Sequence, residues 1–336
     1  MKPPLKLTLM DKGTDFQSYK GLSHLLEHRH NEDAYVTMSI GNCFVMGVFD
    51  GISSHPGGEE AAAICVETVR ELLPERISKM TSREALVSTL ADAHQKILTR
   101  QAEEKELSQM GCTATILILN QESRQVGVVS VGDSAAFRVR SGKLQKLTID
   151  NSFCGEAIDR GQITPKKAQK FPDGFSLTSW MGKSDVVEPE LRYSVYSLLP
   201  GDEYLVSSDG LHAYVPRKKM LYVITTSSTA KEIVSRLHGE AVGHGKSKDD
   251  ITILYYHHPD ERSRRGRKVI WSVMFAMLLL ILLFCAYCIG FKHGTRKCSS
   301  NVIKPLESVS VVVKPDSLIQ DTLSVKPFNI FIDENL

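Results

Sequence analysis

"FVMGVFDGISSHPGGEEAA", residues 44–62, is an apolar run of strand-forming residues that stops on an Asp-Gly pair, crosses a Gly-rich turn and enters a helical pattern. A buried strand that ends in a carboxylate needs something to compensate the charge, because an unpaired buried ion is costly. The reading of this stretch decides the fold, since it joins a strand, a charged terminus and a helix within twenty residues.

Downstream, "GEEAAAICVETVRELL" (58–73) and "TSREALVSTLADAHQKIL" (81–98) carry apolar residues at helical spacing, and the second opens with a Thr81/Glu84 capping box. "CTATILIL" (112–119), "QVGVVSVGD" (125–133) and "AAFRVR" (135–140) follow, joined by turn-like "NQESR" and "SGK", and read as consecutive antiparallel strands. "EYLVSSDG" (203–210), a helix from Thr229 and "DDITILYY" (249–256) resume the alternation. Strand runs and helix pairs are segregated, so the expected class is α+β: two packed antiparallel β-sheets flanked by helices, an αββα sandwich.

The acids fall at the ends of these strands. Asp33 in "RHNEDAYV" precedes one, Asp50 and Asp209 follow apolar strands and precede Gly, Asp133 ends one in "VGDS", and Asp249 and Asp250 open the last. A single Asp-Gly is usually a turn, and Asp173-Gly174 in "FPDGF" reads as one. Several carboxylates brought to one edge of a sandwich make an oxygen-rich site suited to Mg²⁺ or Mn²⁺. Glycine after the acid also lets a backbone carbonyl approach a cation. No Cys/His constellation competes, which disfavours zinc.

Composition narrows the alternatives. The 336 residues are 42% hydrophobic and 24% charged with a net charge of +2, ordinary for a globular chain and too small an excess to imply a nucleic-acid partner. Cys43, Cys65, Cys112 and Cys154 are scattered in apolar or turn contexts and read as buried thiols of a reducing compartment. "MKPPLKLTLMDKG" alternates Leu5, Leu7 and Leu9 with polar residues, as a first strand rather than an export signal would. "GEAVGHGKS" (239–247) imitates a phosphate-binding loop, but its first Gly is one place early and it follows a helix pattern, so nucleotide binding is not expected.

"VIWSVMFAMLLLILLFCAYCIGF", residues 269–291, is uncharged and long enough to cross roughly 30 Å of hydrocarbon, so one transmembrane helix is expected there. Arg262, Arg264, Arg265, Arg267 and Lys268 precede it against Lys292, Arg296 and Lys297 after it. The positive-inside rule then places residues 1–268 in the cytoplasm, with 259–268 as a basic juxtamembrane linker. The tail, 292–336, repeats "VIKP", "VVKP" and "SVKP", extended segments broken by Pro, and would lie outside as a contact peptide or a plain solvated tail.

Over residues 20–256 the chain resembles the metal-dependent protein Ser/Thr phosphatases of the type 2C family. The resemblance is carried in order by "NED" (31–33), "VFDG" (48–51), "GCTAT" (111–115), "VGDS" (131–134), "LTIDNS" (147–152), "GQITPKKAQKFP" (161–172), "LTSWMG" (177–182), "SSDGL" (207–211) and "KDDIT" (248–252). It implies a catalytic domain over 1–258 with a flap at about 153–176, and hydrolysis of phosphoserine or phosphothreonine in phosphoproteins at two divalent cations, Mg²⁺ or Mn²⁺. By resemblance Asp50 bridges the two ions, Asp33 and the Gly51 carbonyl stand on one side, Asp209 and Asp249 on the other, and Asp133 matches a third, weaker site. A cognate membrane kinase and the bacterial inner membrane are the implied partner and location.

Two positions depart from the family pattern. Where many members carry a phosphate-contacting Arg five residues before Asp33, this chain has His28, with Arg29 one place later as the remaining candidate clamp. Between Gly51 and Gly57 lies "ISSHP", longer than the usual link, whose His55 is the candidate proton donor to a leaving alkoxide. With the clamp altered, two alternatives stand beside the enzyme: a catalytically weak module that docks phosphoproteins, and a membrane signalling adaptor whose tail senses something outside.

Overall fold

In the computed structural model, residues 19–24, 31–168, 170–186, 188–244 and 247–259 are described, together with Met277, Leu280 and Ile281. In chain order the elements are β1 (Tyr19–His24), β2 (Ala34–Ile40), β3 (Cys43–Phe49), α1 (Gly58–Lys79), α2 (Ser82–Glu103), β4 (Ala114–Asn120), β5 (Gln125–Val131), β6 (Ala135–Arg140), β7 (Lys143–Lys146), α3 (Phe153–Asp159) and α4 (Pro165–Ala168). They continue with β8 (Arg192–Ser197), β9 (Glu203–Ser207), α5 (Asp209–His212), α6 (Arg217–Thr226), α7 (Ala230–Gly239) and β10 (Ile251–His257). Two antiparallel sheets form, one ordered β1-β10-β9-β6-β7 and the other β2-β3-β4-β5-β8.

The opening stretch explains the layering. Every residue of β3 is buried, because the strand lies mid-sheet between two apolar layers. Phe44, Met46 and Val48 point between the sheets, where Phe44 meets Tyr256 of β10 at 5.1 Å between ring centroids. Val45 and Phe49 point the other way, into the layer under α1 and α2. Alternation by two therefore persists, but both faces are dry, so the run reads as continuously apolar. A third apolar layer packs Phe137, Leu205 and Ile253 under α6 and α7. The order helix–sheet–sheet–helix is the expected sandwich.

Local signals place the helix ends. Thr81 and Glu84 close the capping box, with the Thr81 Oγ1 accepting from the Glu84 N–H at 3.3 Å and Glu84 accepting from the Thr81 N–H at 3.0 Å. Thr229 caps α7 by accepting from the Glu232 N–H at 3.1 Å. The "GEAVGH" segment that imitates a phosphate loop instead ends α7 and runs into a π turn, Glu240–His244. The helical pattern read over 58–73 extends further, since α1 runs through Pro74 to Lys79. Proline removes one backbone hydrogen bond, while beyond it Ile77 packs on the core and Arg76 pairs with Asp92 of α2. The tertiary contacts outweigh the local penalty.

Among the described residues no helix is long and apolar enough to cross a membrane. The expected span at 269–291 lies outside them, save Met277, Leu280 and Ile281, which are helical and exposed. The expected N-terminal strand of Leu5, Leu7 and Leu9 and the tail beyond 291 also lie outside them.

Candidate active site

Strand register brings the acids to one end of the sandwich. In the β2–β3 hairpin Ala34 pairs with Phe49, so Asp33 and Asp50 are the next residues out, on adjacent strands. Val48 pairs with Thr115 of β4 and Ala114 with Val131 of β5, which carries Asp133 to the same end. In the facing sheet Ser207 pairs with Ile253, placing Asp209 just past β9 and Asp249 just before β10 there as well. Alternating strand direction makes this possible: the ends of β3, β5 and β9 and the starts of β2, β4 and β10 share one edge.

Hydroxyl residues then hold the acids. The Asp50 N–H donates to Thr113 Oγ1 at 3.1 Å, the Asp50 carbonyl accepts from the Thr113 N–H at 2.8 Å, and Thr113 Oγ1 also meets Ser134 Oγ at 2.7 Å. Ser208 Oγ donates to Asp33 Oδ2 at 2.8 Å and accepts from the Thr252 N–H at 2.9 Å. Asp250 Oδ2 takes the Glu32 N–H at 2.9 Å, and Asp249 Oδ1 takes the Asp250 N–H at the same distance. Thr113, Ser208 and Thr252 escaped the sequence reading as functional positions, although each lies within a quoted motif, and Asp250 was read only as an acid opening the last strand. Membership in those motifs was the available signal.

The glycines beside the acids are required for space. A Cβ on Gly51 would lie 2.5 Å from the Gly58 carbonyl carbon and 2.7 Å from the Glu32 carbonyl oxygen; one on Gly210 would lie 2.1 Å from the Asp250 carbonyl oxygen. Close backbone approach at the start of α1 and beneath α5 sets these residues, beyond any role of the Gly51 carbonyl itself.

Electrostatically the acids form one group. Burial and then the neighbouring acids Asp33, Asp209, Asp133 and Asp249 hold the Asp50 carboxyl well above the usual range. Burial pushes Asp33 up to about 7 against the pull of its Thr252 and Ser208 hydrogen bonds, and pushes Asp133 up to about 8 with Asp209 and Asp150 adding to it. Burial and Asp249 raise Asp209 to about 6. Among the described residues no three His, Cys, Asp or Glu side chains close on one point as a finished ligand shell. The acids form instead an open group of mutually repelling carboxylates. Asp33 Oδ1 is buried and has no hydrogen-bond partner, while its sister oxygen is satisfied. An orphaned buried carboxylate oxygen facing further carboxylates is a donor set fitted to a hard divalent cation.

The expected proton donor and phosphate clamp are His55 and Arg29. His55 sits on the exposed turn before α1, its Nδ1 2.9 Å from Ser54 Oγ. Arg29 lies outside the described residues. The segment expected as a flap, 153–176, forms α3, α4 and a 3₁₀ turn at Pro172–Phe175 that contains Asp173-Gly174. At its foot Lys146 Nζ bridges Asp150 at 2.5 Å and Asp159 at 2.6 Å.

The fold and this edge define a class of two-sheet sandwiches with a carboxylate-lined end, and comparison with known proteins narrows it. Residues 20–241 match the protein phosphatase 2C family, and the chain belongs to that family. It is 28% identical over 211 residues to the serine/threonine protein phosphatase PstP of Mycobacterium tuberculosis, a match covering 62% of this chain and 39% of PstP. It is 26% identical over 179 residues to the protein phosphatase PhpP of Streptococcus pneumoniae, covering 53% of this chain and 71% of PhpP. The PstP catalytic domain, solved in complex with two manganese ions, superimposes with a TM-score of 0.61 at 25% identity over 72% of this chain and 98% of that domain. The chain thus spans well under half the length of its PstP relative.

Proposed function

We propose that the protein is a metal-dependent phosphatase that hydrolyses phosphoserine and phosphothreonine in phosphoproteins. The observation that carries this is the edge where strand register gathers the buried carboxyls of Asp33, Asp50, Asp133 and Asp209, each raised first by burial, and leaves Asp33 Oδ1 with no partner. Asp33, Asp50, Asp209, Asp249 and the Gly51 carbonyl would hold two divalent cations, Mg²⁺ or Mn²⁺, and Asp133 a third. Bound there, the ions supply a water of lowered pKa and neutralise the phosphate oxygens. The chain's own part is positioning. Thr113 fixes Asp50 from the backbone side, and Ser208 orients the Asp33 carboxylate, so the ligands stand on rigid strand ends rather than on loops. His55 is the candidate proton donor to the leaving alkoxide and Arg29 the candidate phosphate clamp.

Composition supports a tether through residues 269–291, with the catalytic domain on the cytoplasmic side opposite a membrane kinase. The test is phosphate release from a phosphothreonine peptide by the intact chain, with Mn²⁺ or with chelator, beside Asp50→Asn and Asp209→Asn. Metal-dependent turnover that disappears in both variants is expected. Silence in the intact chain with phosphopeptide binding retained would replace the enzyme by the docking module.

A further inference from the structure

At the edge where β7 and β8 terminate their sheets, a cleft of about 760 Å³ opens between the β6–β7 hairpin, β8 and the start of α6. Five cations line it: Arg138, Arg140, Lys143, Lys146 and Arg217. Three carboxylates answer them. Asp202 takes Arg140 at 2.6 Å, Asp150 and Asp159 take Lys146, and Asp159 also meets Arg217 at 3.2 Å. Among the described residues Arg138 and Lys143 have no carboxylate partner, so the cleft holds two uncompensated positive charges.

Arg138 is built into place. Its guanidinium lies 5.5 Å from the centre of the Tyr196 ring on the facing sheet, and its Nη2 donates to Gln145 Oε1 at 2.7 Å. The Tyr196 hydroxyl donates in turn to the Leu147 carbonyl at 3.0 Å, which fixes the ring. Held on two sides, the guanidinium keeps a buried Nε–H with no acceptor. A buried donor left unmet in a cleft that also holds an unpaired ammonium marks a place for an oxyanion. Two surplus charges suit a phosphoryl dianion better than a single carboxylate, and a guanidinium fork presents its donors in phosphate geometry.

We propose that this cleft is a second, non-catalytic binding site for a phosphoryl group, separate from the acid-lined edge. Arg138 supplies the oriented donors, Lys143 the mobile charge at the rim, and Tyr196 the platform beneath the guanidinium. Lys146 and Arg217 close the inner end against Asp159 of α3. The site does not depend on the hydrolysis proposed above, because none of its residues is placed at the candidate metal ligands.

The test uses the intact Asp50→Asn chain as parent, with and without Arg138→Gln and Lys143→Gln together, and measures binding of inorganic phosphate and of a phosphoserine peptide by calorimetry at low salt. The cleft substitutions are expected to weaken binding at least tenfold. Loss confined to inorganic phosphate identifies the free ion as the occupant, and loss with the peptide identifies a protein-borne phosphoryl group. Lys143→Gln alone, at an exposed position, should weaken binding about threefold with the thermal midpoint unchanged, which separates a lost site from a damaged fold. Equal affinities of parent and cleft variants for both probes would overturn the proposal.

Discussion

Two groups of buried carboxylates lie within the same fold and meet burial differently. At the foot of α3, Lys146, only 7% exposed, sits between Asp150 and Asp159; burial raises the Asp150 carboxyl, and Lys146 pulls it back. At the strand-end edge, the neighbours that weigh on Asp50 are all acids, and every one pushes its carboxyl further up. The first group is neutralised by the chain and ties β7 to α3. The second leaves compensation to something bound, which is the mark of a site rather than of a support.

The contrast predicts effects of different size and sign. Asp50→Asn should lower metal-dependent phosphate release on the order of 10⁴-fold, about 5 kcal/mol of barrier, because it removes a shared ligand; steady-state assays with Mn²⁺ will show it, and a loss below tenfold would remove Asp50 from the centre. Lys146→Met should leave two buried carboxylates facing each other and destabilise the fold by about 3–5 kcal/mol, read from urea unfolding. A change under about 1 kcal/mol would dissolve the distinction between the groups. In chelator, Asp50→Asn should do the reverse and stabilise the chain by roughly 1–2 kcal/mol at pH 8, since it relieves repulsion among buried acids. Urea unfolding of the same variant with and without metal checks that inversion.

His94 calibrates the comparison from a third place. Burial holds its imidazole below the ordinary range; Nδ1 accepts the Gly182 N–H at 3.0 Å, so that nitrogen must be unprotonated, and Nε2 lies 3.3 Å from the Val186 carbonyl. A histidine with a lowered folded pKa contributes its full stability above the unfolded value of about 6.5 and loses it as pH falls below that value towards the folded one. The His94 contribution is therefore lost between pH 7 and pH 5, against the opposite trend of the acids whose folded values are raised, and His94→Gln should remove that loss from the unfolding midpoint's pH profile. A slope unchanged in the variant would assign the acid sensitivity to other groups.

Much of this was readable along the chain. The capping box at Thr81, the cap at Thr229 and the strands around Asp50, Asp133 and Asp209 follow from spacing and residue type. The passage of α1 through Pro74 was not readable, because its cause is packing of Ile77 and the Arg76–Asp92 pair against another helix. Nor was the second role of the glycines: Gly51 and Gly210 read as neighbours of a ligand, yet each also clears the way for a backbone distant in sequence. His55 is a case where local sequence named the residue and only the fold gave its setting. A histidine near Asp-Gly suggested chemistry, and the fold leaves it on an exposed turn beside Ser54.

The sequence by itself determined which strands exist, that several end in acids, and that the order of motifs is that of the protein phosphatase 2C family, because periodicity and residue type act over a few neighbours. Only the tertiary structure decided that acids up to some two hundred residues apart share one edge, that Ser208 serves Asp33, and that Arg138 meets Tyr196 across the cleft. Those facts depend on strand register and sheet order. They are settled by long-range pairing and by burial of the layers between the sheets, which no local pattern encodes.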